Sequence, residues 1–524
     1  MIKNEITEEL QVNTNNLTVL ILAAGYGRRM GPFSRMVNKS LVPFGDKALI
    51  GHIIDRFPID TKFVIACGHL GDQVKDYVGT VHSDKNLVFV DIPDYSEGST
   101  GPATTIRHCA EHIRGGFLWL ACDTLFDFDY ASRMDHNWIG VYPVDSTISQ
   151  DYCWVRRDGD DIVDVQNKTA SPTAVDAFIG LMYCKDDEYL DNLIACKAKE
   201  TYQGFDGMDL KAHTVRNWYD FGTYEKWQEL AVMFPETSFV KPDEIFYHDN
   251  NKVIKYFTNV DHVYNRLVRA LANPEATPTK VKAVGHFLIH DWADGDIMYN
   301  QVTPDLFKDM LVWCESTLWT PALSGNGVEA YYSCDKFYRK KTIERLNQFR
   351  VKYTDWSECK TVNGVDVESI DSYIERIDWT FLCKEHEWKY IHGDLHFDNT
   401  IYNPATNKFT AIDWRTDFAG QAYGDLYYDL AKMLGGIYLS YKAVKNDKFN
   451  YTEENNSAII NVPFVPDSLD YENILKDWVI EKGLSWKKVQ LLVPIIYLNM
   501  SPLHEAPFDK FLIALAQLHF SKVL

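Results

Sequence analysis

The chain's ten cysteines form no CxxC pair and show no spacing with histidine that would hold a metal. This argues against a structural zinc site, and scattered thiols of this kind are expected reduced, as in the cytoplasm. No apolar run is long enough to cross a bilayer, so no membrane insertion is expected. Residues 1–16 are polar and acidic, which suits neither a signal peptide nor a basic transit peptide. A basic excess is also missing. The formal net charge of −21 leaves nothing to neutralise a phosphate backbone, which argues against sequence-independent nucleic-acid binding. Small molecules and nucleotides held in local basic pockets are the expected partners, with a homo-oligomer left open. No internal repeat and no low-complexity segment is seen. What remains is a chain of 524 residues, too long for one core, with 46% hydrophobic and 24% charged residues, the composition of an ordinary globular protein of two or three domains.

Near the C-terminus, Tyr390-Ile-His-Gly-Asp-Leu-His-Phe-Asp-Asn-Thr-Ile-Tyr402 is followed by Ala411-Ile-Asp-Trp-Arg415. The pattern reads as strand, tight loop, short strand, then a second strand ending in an acid. Asp394 follows Gly393, where the backbone can turn sharply. An Asp with an Asn behind it and a second Asp on a neighbouring strand is what phosphoryl transfer from ATP needs. Asp394 would accept the proton of a substrate hydroxyl, and Asn399 and Asp413 would hold magnesium on the phosphates. A hairpin with capping Asp and Asn residues is the plainer alternative. The segment HGDLHFDN…IDW resembles the aminoglycoside phosphotransferase and choline kinase family, with its HGDxxxxN and IDW or IDF signature. Tyr423-Gly-Asp-Leu-Tyr-Tyr-Asp-Leu-Ala-Lys432 resembles that family's GDxxxDLA helix start. The resemblance implies a two-lobed, ATP-dependent small-molecule kinase.

At the other end, Leu17-Thr-Val-Leu-Ile-Leu-Ala-Ala24 is a continuous apolar run of buried-strand type. Gly25-Tyr-Gly-Arg-Arg-Met30 follows at once, and glycines there let backbone N–H groups approach a phosphate chain. Arg28 and Lys39 add positive charge. The segment resembles nucleotidyltransferases of the sugar-phosphate and phosphocholine type, with their LAAGxGxRM…K signature; Asn38 stands where many members have proline. This implies a Rossmann-like α/β domain that binds a nucleoside triphosphate through Ala23, Ala24, Gly25, Gly27 and Arg28. Alternating strand and helix patterns from Ala48 to Ile92 lead to the expectation of a parallel sheet with helices on both faces. The loop Tyr95–Pro102 would line base and triphosphate, with Gly98 and Ser99 as contacts, or be a plain turn with an N-cap. Asp123, closing the strand Phe117–Leu125, lies at the ligand edge of such a sheet. It is expected to bind magnesium together with Asp220, which falls in a stretch resembling the family's W-x-D-x-G-T element. Lys168 matches the family's lysine for the acceptor phosphate, or is a solvated hairpin residue. Gly204–Asp209 reads equally as acceptor loop or turn. The attacking acceptor phosphate is already anionic near neutral pH. No general base is then required, and the work falls to magnesium, Arg28, Lys39 and the loop amides.

Two prolines near Phe234–Pro242 mark the expected junction. Glu244–Phe257 reads as a hairpin turning at Asp249-Asn250-Asn251, like the start of a kinase small lobe, and Lys255 matches the family's ATP-phosphate lysine. No Gly-rich loop precedes it, and the helical stretch Val263–Leu271 lacks the glutamate that usually pairs with this lysine; Asn265 and Glu275 are nearby. Helical spacing follows at Thr303–Ser316, Cys334–Phe349 and Ser369–Glu385, with a polar loop at Asn446–Asn456 and an apolar tail at Val489–Val523. Trp313, Trp319, Trp414, Tyr423, Tyr427 and Tyr428 could box a quaternary ammonium, or pack a core. Arg415 would bind an acceptor group or pair with Asp417.

The expected organisation is a polar extension (1–16), an α/β Rossmann-like nucleotidyltransferase domain (17–235), a linker (236–242) and a two-lobed protein-kinase-like (α+β) phosphotransferase domain, small lobe 243–295 and large lobe 296–524. The kinase would phosphorylate a sugar or polyol hydroxyl with ATP. The transferase would couple that phosphate to a nucleoside monophosphate from CTP, GTP or UTP and release pyrophosphate. Magnesium is the implied cofactor. Similar fusions resemble enzymes of surface-glycan or capsule precursor synthesis. The alternatives are an amino-alcohol kinase with a cytidylyltransferase giving a CDP-alcohol, or a transferase with a non-catalytic kinase-like module.

Overall fold

The structure, a computed structural model, describes residues 17–93, 101–127, 129, 131–233, 240–241, 243–322, 327–354, 356–446, 448–463 and 465–524. Gly98, Ser99 and most of 236–242 lie outside the described residues. Contacts divide the chain into two compact units, Met1–Val260 with Val284–Ile289, and Asp261–Ala283 with His290–Leu524.

In the first unit the apolar run becomes the strand Thr18–Ala23, which pairs in parallel with Lys62–Cys67 on one side and Phe117–Ala121 on the other. Asn86–Asp91 extends the parallel part. Alternate side chains of the first strand enter two different cores: Val19 and Ile21 pack with Phe63, Leu118 and Ile53, while Leu20 packs with Val64, Ile106 and Trp119. That two-sided burial is why the run carries no polar alternation.

The sheet has nine strands among the described residues and is mixed: the parallel part holds the strands read from the alternating pattern, and antiparallel strands extend it. Val175–Cys184 runs antiparallel to both Phe117–Ala121 and Asn137–Val144, and the hairpin Cys153–Asp158/Asp161–Asn167 closes the edge. Only the hairpin itself is joined by a short turn, at Gly159 and Asp160, and a connection that short can join only antiparallel neighbours. The strand expected at Phe117–Leu125 is broken into Phe117–Ala121 and Thr124–Phe126, and Asp123 sits in the break.

The hairpin Glu244–Asp249/Lys252–Phe257 turns at Asn250 and Asn251, both at positive φ (48° and 58°), as a tight two-residue turn requires. Ile245, Tyr247, Ile254 and Tyr256 join the core formed with Val19, Leu41 and Tyr77. Tyr247 donates to the carbonyl of Leu41 at 2.6 Å, and the His248 amide to that of Asp46 at 2.7 Å. The division by contacts thus falls at Val260 rather than at 236–242.

The second unit is largely helical. Its core gathers Phe307, Phe337, Leu395, Leu430, Leu492 and Phe511, among others. Ser369–Glu385 is two helices, Ile370–Arg376 and Trp379–Lys384, because Asp378 caps the second through the amide of Phe381 at 2.9 Å. The expected polar loop at Asn446–Asn456 is in part a strand: Asn450–Glu454 pairs with Ser457–Asn461 around Asn455 and Asn456, both at positive φ. Two asparagines in left-handed conformation make a hairpin turn, a signal masked by the polarity of the flanks. No helix of the described residues is long and apolar enough to cross a membrane.

Candidate active sites

In the first unit, the loop after Thr18–Ala23 stands at the C-terminal ends of the parallel strands. Gly25 is exposed, and a Cβ there would meet nothing within 4 Å. Gly27 takes φ +60° above the stem of Lys39, where a Cβ would come within 3.1 Å of the lysine Cβ. The loop is anchored by buried Met30 and leaves Arg28 exposed, its guanidinium 5.3 Å from the ring of Tyr26, which stacks on His69 at 4.4 Å.

Asn38, read from sequence only as a departure from proline, is fully buried and holds the loop. Its side-chain amide donates to the carbonyls of Ala23 (2.8 Å) and His69 (2.6 Å), and its oxygen accepts from the Ser40 amide at 2.9 Å. With proline these carbonyls would need other donors. The carbonyls of Ala23 and Ala24 are thereby used within the protein, the latter by the His69 amide at 3.0 Å.

Asp123 and Asp220 lie on paired backbone segments. Trp218–Asp220 pairs with Thr124–Phe126 so that Asp220 faces Thr124, and the Phe221 amide donates to the Asp123 carbonyl at 2.9 Å. Each carboxylate already has a cation: Lys39 on Asp123 and Lys226 on Asp220. Burial would push the Asp123 carboxyl up, but Lys39 holds it below its ordinary value. Tyr152 donates to Asp220 at 3.0 Å, and the amide of exposed Lys168 donates to the Tyr152 carbonyl at 2.9 Å, which ties Lys168 to the same neighbourhood. Tyr152 and Lys226 were not singled out from sequence; Lys226 follows Asp220 by six residues across a turn, a spacing with no regular period. Lys255 also belongs to the first unit, buried on the strand Lys252–Phe257 and 5.8 Å from the ring of Phe246. A cleft of about 470 Å³ lined by Asp164, Gln203, Asp206 and Met208 contains none of these site residues.

In the second unit, Asp394 follows Gly393, which takes φ +82°. Lys432 lies 2.5 Å from one carboxylate oxygen of Asp394. The side-chain amide of Asn399 donates to the Asp394 carbonyl at 2.9 Å and lies 3.4 Å from the other carboxylate oxygen. Burial would raise the Asp394 carboxyl, yet the charge of Lys432 holds it well below the usual carboxylate range. Asp413, exposed and at φ +59°, follows Ile412, whose amide donates to the Asn399 carbonyl at 2.9 Å, so Asn399 and Asp413 are neighbours across the hairpin Thr400–Asn403/Lys408–Ala411.

The loop is held by residues given no role from sequence. Asp429 accepts from the amides of His392 (2.7 Å) and Gly393 (2.6 Å) and from the indole of Trp319 (3.0 Å). Burial pushes its carboxyl up to about 6. Arg269, only 1% exposed, donates to the carbonyls of Arg415 (2.9 Å) and Ile391, and Arg266 to that of Trp414 at 3.0 Å. The helix Val260–Ala272 that lacks the expected glutamate thus carries two arginines onto the loop backbone. Asp429 and Lys432 share one face of the helix Leu426–Tyr438 at i, i+3, a spacing legible in the sequence. Arg415 does not pair with the Asp417 carboxylate; its Nε donates to the Asp417 carbonyl at 3.2 Å.

His392 donates through Nε2 to the Ile412 carbonyl at 2.7 Å and accepts from the Asp394 amide at Nδ1. Burial pushes His392 down to about 3 and His396 to about 4, so both are neutral near pH 7. The unfolded chain binds protons at these histidines from about pH 6.5 downward while the folded one refuses them. Stability of the second unit therefore declines as pH falls through that window, by less than about 2.7 kcal/mol per pH unit for two protons, because below about pH 6 the Asp429 carboxyl takes up a proton in the folded state and offsets part of the loss. Urea midpoints taken at pH 7, 6 and 5 will show the decline; a flat profile would contradict neutral burial of both rings.

Residues 19–163 match the model of the MobA-like NTP transferase domain. Bifunctional protein GlmU of Methanococcus vannielii is 24% identical over 132 residues, 25% of this chain and 30% of that protein. The same-named protein of Ralstonia nicotianae is 40% identical over 65 residues, 12% of this chain and 14% of that one. The chain therefore spans under a third of these curated relatives. Among solved structures, a UDP-glucose pyrophosphorylase complexed with UDP-glucose is 17% identical with TM-score 0.37, over 42% of this chain and 98% of its own. The CTP:phosphocholine cytidylyltransferase of Streptococcus pneumoniae is 16% identical with TM-score 0.34, over 41% of this chain and 98% of its own. The family-model match, residues 19–163, lies within the first unit.

Proposed function

We propose that the chain is an enzyme of two activities: the second unit phosphorylates a hydroxyl of a small molecule with ATP, and the first couples the phosphate formed to a nucleoside monophosphate taken from a nucleoside triphosphate. The product is a nucleotide-activated building block of the kind that surface-glycan assembly consumes. The observation that carries the two-step reading is the Asp394 carboxylate, gripped by Lys432 and faced by Asn399 on a loop that Asp429 and Arg269 clamp. An inert module has no need of a carboxylate so positioned.

In the second unit the acceptor hydroxyl oxygen attacks the γ-phosphorus of ATP. The bond from that phosphorus to the bridging oxygen breaks, ADP leaves, and Asp394 takes the hydroxyl proton. A carboxylate held low by Lys432 is a weak base, which suits a loose transition state in which the proton moves late. In the first unit a phosphate oxygen of the acceptor attacks the α-phosphorus of the triphosphate and pyrophosphate departs. The amides of Gly25–Gly27, Arg28 and Lys39 meet the charge, and Lys168 stands near for the acceptor.

Magnesium suits both donor sets. Asp123 with Asp220, and Asn399 with Asp413, each offer two hard oxygen ligands, and among the described residues there is no cluster of three or more His, Cys, Asp or Glu side chains that would complete a protein-only shell. Two protein ligands with phosphates and water filling the rest is the usual magnesium arrangement. When bound, the ion would neutralise phosphate charge and fix its orientation.

The test incubates the full chain with magnesium, ATP and each of CTP, GTP and UTP against sugars, polyols, hydroxy acids and amino alcohols, with mass spectrometry of the products. One acceptor is expected to yield both a monophosphate and a nucleotide adduct. Adducts formed only from compounds supplied already phosphorylated would reduce the chain to its transferase.

A further inference from the structure

The second unit places more positive charge around Asp394 than a neutral acceptor needs. The stem of Arg415 lies over Gly393, where a Cβ would come within 2.7 Å of the arginine Cβ. Its guanidinium rests 4.9 Å from the ring of Phe337 and 6.0 Å from that of Tyr428. The ammonium of Lys341 lies 4.1 Å from the same Phe337 ring. Among the described residues, neither Arg415 nor Lys341 forms an ion pair. Of the nearby carboxylates, Asp394 pairs with Lys432 and Asp335 with Arg339 and Lys340, while Asp417, which accepts from the Gly420 amide, offsets only part of the charge felt by Lys341. Burial and the charges of Arg415, Arg345 and Lys432 together push Lys341 down to about 6. Such a cluster is costly to maintain unless an anion completes it. Phe337 lies within, and Lys341 directly follows, a wide helical turn, Asp335–Lys340, with π-type hydrogen bonding, a distortion that often re-aims side chains at functional sites.

The aromatic residues point the same way. A choline box needs open ring faces, but these rings already hold the chain's own cations. Lys488 sits 4.3 Å from Tyr427 and 5.7 Å from Tyr338, and Arg269 lies 6.0 Å from Trp414. Trp319 is core, its indole spent on Asp429. A quaternary ammonium would meet like charge here.

We propose that the acceptor phosphorylated at Asp394 is itself an anion, a hydroxyl compound bearing a carboxylate or a phosphate, and that Arg415 and Lys341 receive that group. The inference rests on the phosphoryl-transfer reading of the second unit and narrows its substrate class. Arg415 supplies the planar fork that matches either anion, and the Lys341 amine takes up a proton as the anion arrives, adding a second charge.

The experiment pairs turnover with binding on the full chain. ADP formation is followed with magnesium and ATP against glycerate, an aldonate, glycerol phosphate, a sugar phosphate, glycerol, a neutral hexitol and choline. The hydroxy acids and the phosphates form separate arms, so the anion is identified. Calorimetry without ATP measures binding of the same compounds. The expected result is that one anionic arm turns over and neutral and cationic compounds do so at least about 100-fold less efficiently. Arg415→Met is expected to raise KM for that acceptor about 100-fold with a smaller change in kcat, Arg415→Lys to recover part of it, and Lys341→Met to raise KM about tenfold. Circular dichroism melts of each variant exclude unfolding as the cause. Turnover of a neutral polyol or choline, with KM unmoved by Arg415→Met, would overturn the inference and leave the kinase reading standing. Binding of an anionic alcohol that Arg415→Met abolishes, with no turnover of any compound, would keep the anion site and sink the kinase reading. No binding and no turnover in any arm would overturn both.

Discussion

Replacing Asp394 by asparagine will lower ATP-dependent phosphorylation about 10³-fold, while nucleotidyl transfer to compounds supplied already phosphorylated continues. Asparagine keeps the shape of the side chain but cannot take the hydroxyl proton, and loss of a positioned general base typically costs 10²–10⁴-fold. About 10³-fold corresponds to about 4 kcal/mol of transition-state stabilisation. The substitution also strips Lys432 of its counter-charge at a site where the lysine is 7% exposed, and a buried unpaired cation can cost several kcal/mol of stability. The double variant Asp394→Asn/Lys432→Met removes that penalty. Lost phosphorylation in a double variant that melts like the parent would assign the effect to the missing base. A single variant that keeps more than a tenth of the parent rate would remove Asp394 from the chemistry and favour a module that binds without reacting.

The second large effect belongs to the first unit. Lys39→Met is expected to cut nucleotidyl transfer by about 10²–10³-fold, the usual result of removing one preorganised positive group from a phosphate site. The lysine does two things: its stem supports Gly27 from below, and its ammonium neutralises Asp123. Arginine is therefore expected to rescue poorly, because a longer planar head cannot occupy the space under the loop. Pyrophosphate release, read with an acceptor monophosphate supplied, isolates this step from the kinase. Accumulation of the monophosphate in the coupled assay is the second sign. Transfer at the parent rate in Lys39→Met would show that the Lys39–Asp123 pair serves the fold alone.

The candidate site residues that stand close in sequence were the most legible: Gly25, Gly27 and Arg28 follow one strand, with Lys39 a short helix further on, and Asp394, Asn399 and Asp413 flank one hairpin. The periods of the parallel strands were equally plain, since burial on both faces leaves an unbroken apolar run. What escaped notice acts at long range. Arg269 reaches the carbonyl of Arg415 from 146 positions away, and Tyr152 meets Asp220 across 68. Asn38 was visible, but only as a mismatch; its role as donor to Ala23 and His69 depends on a fold that brings residue 69 beside it. The break at Asp123 was missed for a different reason: Leu118 to Leu125 reads as one apolar strand, and only the switch of Thr124–Phe126 to a second sheet reveals the bend.

The chain enters the first compact unit twice, up to Val260 and again at Val284–Ile289. No single scission can therefore release both units whole. A fragment that stops at 235 would forfeit Ile245, Tyr247, Ile254 and Tyr256 from the apolar interior around Leu41 and Tyr77, and one that stops at 260 would still lack Phe287. A separately expressed transferase would need the returning segment grafted behind residue 260 through a short linker.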